Sequence, residues 1–152
     1  AASDVYKRQA FAGGKLFGSF YWGKSLGMSN DLGMIQSLSN LYSSSFGIGY
    51  LISSVFHKND SFVVTIDQPI RIESGGLKLN VPIYRTKEKN VLFNSFNFDL
   101  DPSGREIHTK AEYLTSYKNI GFGLTLGYKS DPYHIKFMDD YWYTSLGFNI
   151  KI

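Results

Sequence analysis

The sequence predicts an all-β protein, an antiparallel transmembrane β-barrel segment of about eight or nine up-and-down strands. Two observations predict the strands. From residue 41 onward apolar and polar residues alternate with period two, and the runs are broken every dozen or so residues by Gly, Pro, Asn, Asp or Ser clusters. The third observation is length. Several runs cover about 10 to 14 residues, where a bilayer-crossing strand needs about 9 to 11 and a soluble strand about 5 to 6.

Composition narrows the class. The 152 residues are 43% apolar and 16% aromatic, enough to order one domain-sized unit and to exclude wholesale disorder. The 16 Lys and Arg against 13 Asp and Glu leave a scattered net charge of +3, too little for a phosphate-tracking surface, so no nucleic-acid partner is expected. No uncharged apolar run reaches 18 residues, which excludes a transmembrane helix and leaves a barrel open. The absence of cysteine removes disulfides, thiolate catalysis and thiolate metal sites.

Taken in order, residues 1–9 share no periodicity with the rest of the chain and resemble a translated sequencing-adapter remnant; they are read as a non-native extension, and residues 10–152 as the barrel segment. Between residues 10 and 40, Leu16, Phe20 and Trp22 suggest one or two strands among interrupting glycines, and Asn30 to Gln36 could form a short helix capped by Asn30 or Asp31, or a loop, since propensity does not decide. Residues 41 to 56 set Tyr42, Phe46, Ile48, Tyr50, Ile52 and Phe56 against Ser43, Ser45, Gly47, Gly49 and Ser53. A turn over His57 to Asp60 leads to a strand near 61 to 72, with Phe62, Val64, Ile66, Ile70 and Ile72 on one side.

Glu73 to Gly76 reads as the next turn, before a strand over 77 to 84. A charged connection at Thr86 to Asn90 and a strand over 91 to 100 come next, closed by Asp101, Pro102, Ser103 and Gly104. The strand near 105 to 118 turns Ile107, Ala111, Tyr113 and Tyr117 one way and Glu106, His108, Lys110 and Glu112 the other. After a turn at 117 to 120, Ile120, Phe122, Leu124, Leu126 and Tyr128 oppose Gly121, Gly123, Thr125, Gly127 and Lys129. The last strand comes after a loop of residues 130 to 139 and sets Trp142, Leu146, Phe148, Ile150 and Ile152 against Ser145, Gly147, Asn149 and Lys151.

Alternation fits both a soluble barrel with its apolar residues inside and a membrane barrel with them outside. Strand length, the Gly, Ser, Asn and charged make-up of the polar face, and aromatics near strand ends (Tyr84, Tyr113, Tyr128, Trp142) favour the membrane. A Lys or Arg facing lipid at mid-bilayer costs roughly 2 to 4 kcal/mol, so Arg105, Glu106, His108, Lys110 and Glu112 are expected to form a lumen charge network. Ser145, Gly147, Ile150 and Ile152 form a terminal pattern that resembles the insertion signal of outer-membrane barrels, where a free strand edge is offered to the barrel-assembly machinery.

Three segments carry a family resemblance: Gln68 to Gly75, Gly104 to Ile107, and Gly127 to His134. In order and spacing they resemble the C-terminal autotransporter-type β-barrel of subtilisin-like serine peptidases. The resemblance implies a 12-strand barrel in the outer membrane of a Gram-negative bacterium, of which this chain is a fragment. It implies a translocator that anchors and exports its own N-terminal passenger, a subtilisin-like serine peptidase, with no cofactor. Its partners would be outer-membrane lipid, the barrel-assembly machinery and that passenger. The rivals are a porin-like channel, a soluble barrel binding an apolar ligand, and a barrel enzyme with its site at the rim.

No catalytic or metal-binding motif stands out, so this segment is not expected to be an enzyme. His57, His108 and His134 lack metal spacing and a nearby nucleophile. Ser74, Gly75 and Gly76 follow Glu73 where a serine-peptidase nucleophile segment would carry Asp, and fit a turn better. Asp99, Asp101, Ser103 and Gly104 imitate the start of a calcium loop, but Lys110 occupies the position of the bidentate Glu. Asp131, Asp139 and Asp140 read as a solvated loop that could hold a surface cation.

Overall fold

The computed structural model describes residues 2–11, 13–30 and 33–150. The chain is all-β. Its strands are β1 (Ala2–Phe11), β2 (Gly14–Ser25), β3 (Met28–Ser29), β4 (Ile35–Leu38), β5 (Leu41–Ser53), β6 (Asp60–Ser74), β7 (Gly76–Arg85), β8 (Val91–Asp99), β9 (Ile107–Tyr117), β10 (Ile120–Ser130) and β11 (Tyr141–Ile150), with one turn of 3-10 helix at Pro132–His134. From residue 41 onward the seven strands read from alternation are all present, because each run of period two is bounded by residues that reverse or bend the chain. The described part of Asn30 to Gln36 is not helical: the Asn30 N–H donates to the Gln36 carbonyl between β3 and β4, while Asp31, the other expected cap, and Leu32 lie outside the described residues.

All pairing is antiparallel, in two sheets. Seven strands run β1-β2-β5-β6-β9-β10-β11, and four run β3-β4-β7-β8. The larger sheet is open, with β1 and β11 at its edges. Residues set aside as an extension form β1, which pairs with β2 over its whole length from Ala2↔Gly23 to Phe11↔Gly14. That pairing concerns conformation and not origin: it places Lys7 in the row of Gly18 and Ile48, and Gln9 in the row of Leu16 and Tyr50, on an otherwise apolar face.

The expected single run of eight or nine consecutive strands is corrected to seven, since β7 and β8 leave the main sheet. Gly75 alone separates β6 from β7, and one residue cannot reverse the chain, since the tightest common hairpin needs two. The chain therefore continues past the end of the main sheet, and Glu73 to Gly76 bends without closing a hairpin. Asp101 to Gly104 likewise connects strands of different sheets. The second sheet keeps the strand order of β2, β5, β6 and β9, whose ends it prolongs. The Ser39 N–H donates to the Gly76 carbonyl (2.8 Å) and the Leu100 N–H to the Gly75 carbonyl (2.9 Å), tying the two together.

This topology has two unlike ends. At the turn end lie the β1–β2 connection and the connections 54–59 and 118–119; at the loop end lie the excursion from β2 to β5 and the connections 75–106 and 131–140. Asp60 shapes one of the short turns. Its carboxylate accepts the N–H groups of Val55 (2.7 Å), Phe56 and His57 (2.9 Å each) and the Tyr113 hydroxyl (2.9 Å).

Cross-strand partners share a face, so register sorts the side chains. One row runs Gly49, Thr65, Lys110, Gly127, Tyr143. Three residues further along β9, and so on the opposite face, a row runs Phe62, Tyr113, Leu124, Leu146. The first face is polar and small, the second apolar. Alternation holds along β6 from Phe62 to Ile66, but register shifts opposite Tyr42 to Phe46 interrupt it, so Ile70 and Ile72 do not simply continue that side. Glycines on the polar face let aromatic rings lie flat across the strands, Phe17 against Gly49 and Tyr143 against Gly127, where a Cβ would collide with the ring.

Candidate functional site

Among the described residues no hydrophobic side chain is buried, and the residues that are buried and polar are Asp60, Gln68, Glu106 and His134. Apolar-face residues stand open, from Leu124 at 39% exposed to Phe148 at 72%. On the other face the side chains of Glu106 and His108 are only 9% and 15% exposed. The sheet thus shelters these charges and exposes hydrocarbon.

The sheltered charges gather at the loop end. The His108 ring lies between two carboxylates, with Nε2 against Glu106 and Nδ1 3.3 Å from Asp67. Lys110 reaches Asp67 at 2.9 Å, and Lys129 reaches Glu106 at 3.6 Å. Period two along β9 and the partner rows of β6 and β10 bring these side chains to one face. Glu106 also accepts the Tyr133 N–H at 2.7 Å, and its own N–H donates to the His134 ring at 2.9 Å. Burial works to raise the Glu106 carboxyl; the His108 ring, the Tyr133 amide and Lys129 outweigh it and hold the group below the usual carboxylate range.

A second cluster adjoins it. Glu73 pairs with Arg71 (2.6 Å) and Arg105 (2.8 Å) and accepts the Ser44 hydroxyl (2.6 Å), while Arg105 also bonds Gln68. Arg71 donates to the carbonyls of Gly104 (3.0 Å) and Pro102 (2.8 Å), pinning the β8–β9 connection to β6. Asp140 closes the third connection. Its carboxylate accepts the Tyr128 hydroxyl (2.6 Å) and the Asp131 N–H (3.0 Å), bonds that keep its carboxyl below the ordinary aspartate range despite some burial.

Of the five residues expected to share one network, Glu106, His108 and Lys110 meet, with Asp67 and Lys129 added. Arg105 belongs to the neighbouring cluster, where it pairs with Glu73 and bonds Gln68. Glu112 stands two rows nearer the turn end, where it lines an open groove of about 490 Å³ with Ser61, Thr125, Ser145, Gly147 and Asn149. Ser145, Gly147 and Ile150 lie on β11, the free edge; Ile152 lies outside the described residues.

Sequence reasoning did not foresee that Gln68 to Gly75, Gly104 to Ile107 and Gly127 to His134 converge in space at this end. The available signal was that polar residues interrupt the alternation in each of them. Among the described residues no group of His, Asp and Glu is placed to hold a metal ion. Comparison of the chain with protein-family models, with curated proteins and with solved structures finds no match.

Proposed function

We propose that this chain is part of the wall of an outer-membrane β-barrel, with its apolar face in lipid and its polar face toward water. The observation that carries this reading is the inverted exposure of the two faces. Short turns at one end and long excursions at the other support it, since barrels of the outer membrane have short periplasmic turns and longer external loops. In this reading the loop end is extracellular, the membrane is that of a Gram-negative bacterium, and the barrel-assembly machinery receives a free strand edge such as that of β11.

Within that frame the barrel serves as the translocator of an autotransporter and anchors and exports an N-terminal passenger, a subtilisin-like serine peptidase. The passenger rests on the resemblance of the three converging segments alone. The open groove lined in part by Glu112, Thr125, Ser145 and Asn149 also supports a porin-like channel, in which the same wall lines a water path. A soluble barrel around an apolar ligand needs the apolar face inside, against the exposure found.

The two tryptophans, Trp22 and Trp142, make the membrane reading testable: both belong to the apolar face, 40% and 68% exposed. Protein refolded into vesicles containing brominated lipid should lose most of its tryptophan emission. Unquenched emission from folded protein would overturn the lipid-facing assignment. Export of an N-terminally fused reporter to the cell surface by the complete barrel tests the translocator; a reporter held inside refutes it.

A further inference from the structure

We infer that the open edge of β8 pairs antiparallel with β8 of a second copy of this chain. β8 is bonded to β7 on one side only and ends the second sheet. All nine of its residues are exposed, and none between Val91 and Phe98 is charged or Pro, so it lacks the usual devices that blunt an edge. The Leu100 N–H donates to Gly75, which turns the even-numbered residues of this strand toward β7. The N–H and C=O groups of Val91, Phe93, Ser95, Asn97 and Asp99 then point to the open side. Pro82, which has no N–H to give, stands opposite Phe93, in keeping with that phase.

Charge fixes the partner as a second copy. The start of the strand is net basic, with Lys87 and Lys89 on either side of Glu88 in the preceding turn, and its end is acidic, with Asp99 and Asp101. All four side chains are exposed and free of partners among the described residues. With Asn94 on a two-fold axis, Lys89 of each copy falls opposite Asp99 of the other and Lys87 opposite Asp101. In the same register Leu92 meets Phe96 and Phe93 meets Ser95, so an aliphatic–aromatic pair forms twice on one face. β8 runs back toward the main sheet, so the antiparallel copy carries its own main sheet away on the far side, and the two molecules meet loop end to loop end. The pairing does not depend on the membrane reading.

Because the chain has no cysteine, single substitutions report the register. Asn94→Cys places two thiols at a non-hydrogen-bonded pair, about 4.5 Å between Cα atoms and within disulfide reach. Leu92→Cys mixed with Phe96→Cys should cross-link as a heterodimer. Val91→Cys, also at an exposed position, faces Asn97 and not itself. In detergent under mild oxidation, Asn94→Cys should dimerise roughly tenfold faster than Val91→Cys, since only its thiols fall within disulfide reach. The unsubstituted protein should sediment as a dimer that weakens with salt. Equal cross-linking rates, or a wild-type monomer whose behaviour ignores salt, would overturn the proposal.

Discussion

Replacing Leu124 by Arg tests the proposed orientation at its centre. Leu124 is in the middle of β10, between Tyr113 and Leu146 on the apolar face, and is 39% exposed. With acyl chains over that face, a guanidinium at this depth costs about 2 to 4 kcal/mol. At about 1.4 kcal/mol per decade this is roughly a 30- to 700-fold loss in the folding equilibrium. Thr125→Arg, one position on, points toward Glu112 and Ser145 and should cost little. Ile120→Arg, on the apolar face at the turn end, should cost about 0 to 1 kcal/mol, because the penalty falls with distance from the midplane. Urea titration of protein folded in vesicles reads all three. An unchanged midpoint for Leu124→Arg, or a larger loss for Thr125→Arg, refutes the orientation. So does wild-type protein that folds and stays monodisperse in buffer without lipid.

Two further outcomes concern the loop end. The Glu106 carboxyl titrates below its unfolded value, so its contribution is complete above the ordinary glutamate range and disappears as pH falls through the lowered folded pKa. The amide resonance of Tyr133, which donates to Glu106, should therefore shift in acid, and Glu106→Gln should remove that shift; an acid shift that persists in the variant refutes the link. Gly104→Ala would bring a Cβ to 2.6 Å from the Lys136 nitrogen and 3.0 Å from the Ile135 carbonyl carbon, beside the bond from the Gly104 N–H to His134. Such overpacking costs about 1 to 3 kcal/mol, and hydrogen exchange should speed up in residues 131–140 while β9 and β10 keep their protection.

The strands from residue 41 onward were legible because alternation is local: a residue's face depends on its parity and on nothing distant. Hence Tyr113, Leu124 and Leu146 could be placed on one face, and Lys110 on the other, from the sequence. The fate of β7 was not legible. Leu77, Leu79, Val81 and Ile83 alternate as well as any strand, and only the single-residue link at Gly75, joined by the Leu100 and Ser39 bonds, sends them into a second sheet. Arg105 was misplaced for a related reason, since parity says nothing about a side chain that reaches back across a connection to Glu73.

From residue 41 onward the sequence by itself determined the element types, most boundaries to within a few residues and the sorting of polar from apolar, all consequences of period two and turn chemistry. Tertiary structure decided which strands are neighbours, the meeting of Asp67, Glu106, His108, Lys110 and Lys129, and the relative shelter of the two faces. Those are properties of strand pairing, set by contacts between residues far apart in the chain, and a pattern that repeats every two residues does not encode them.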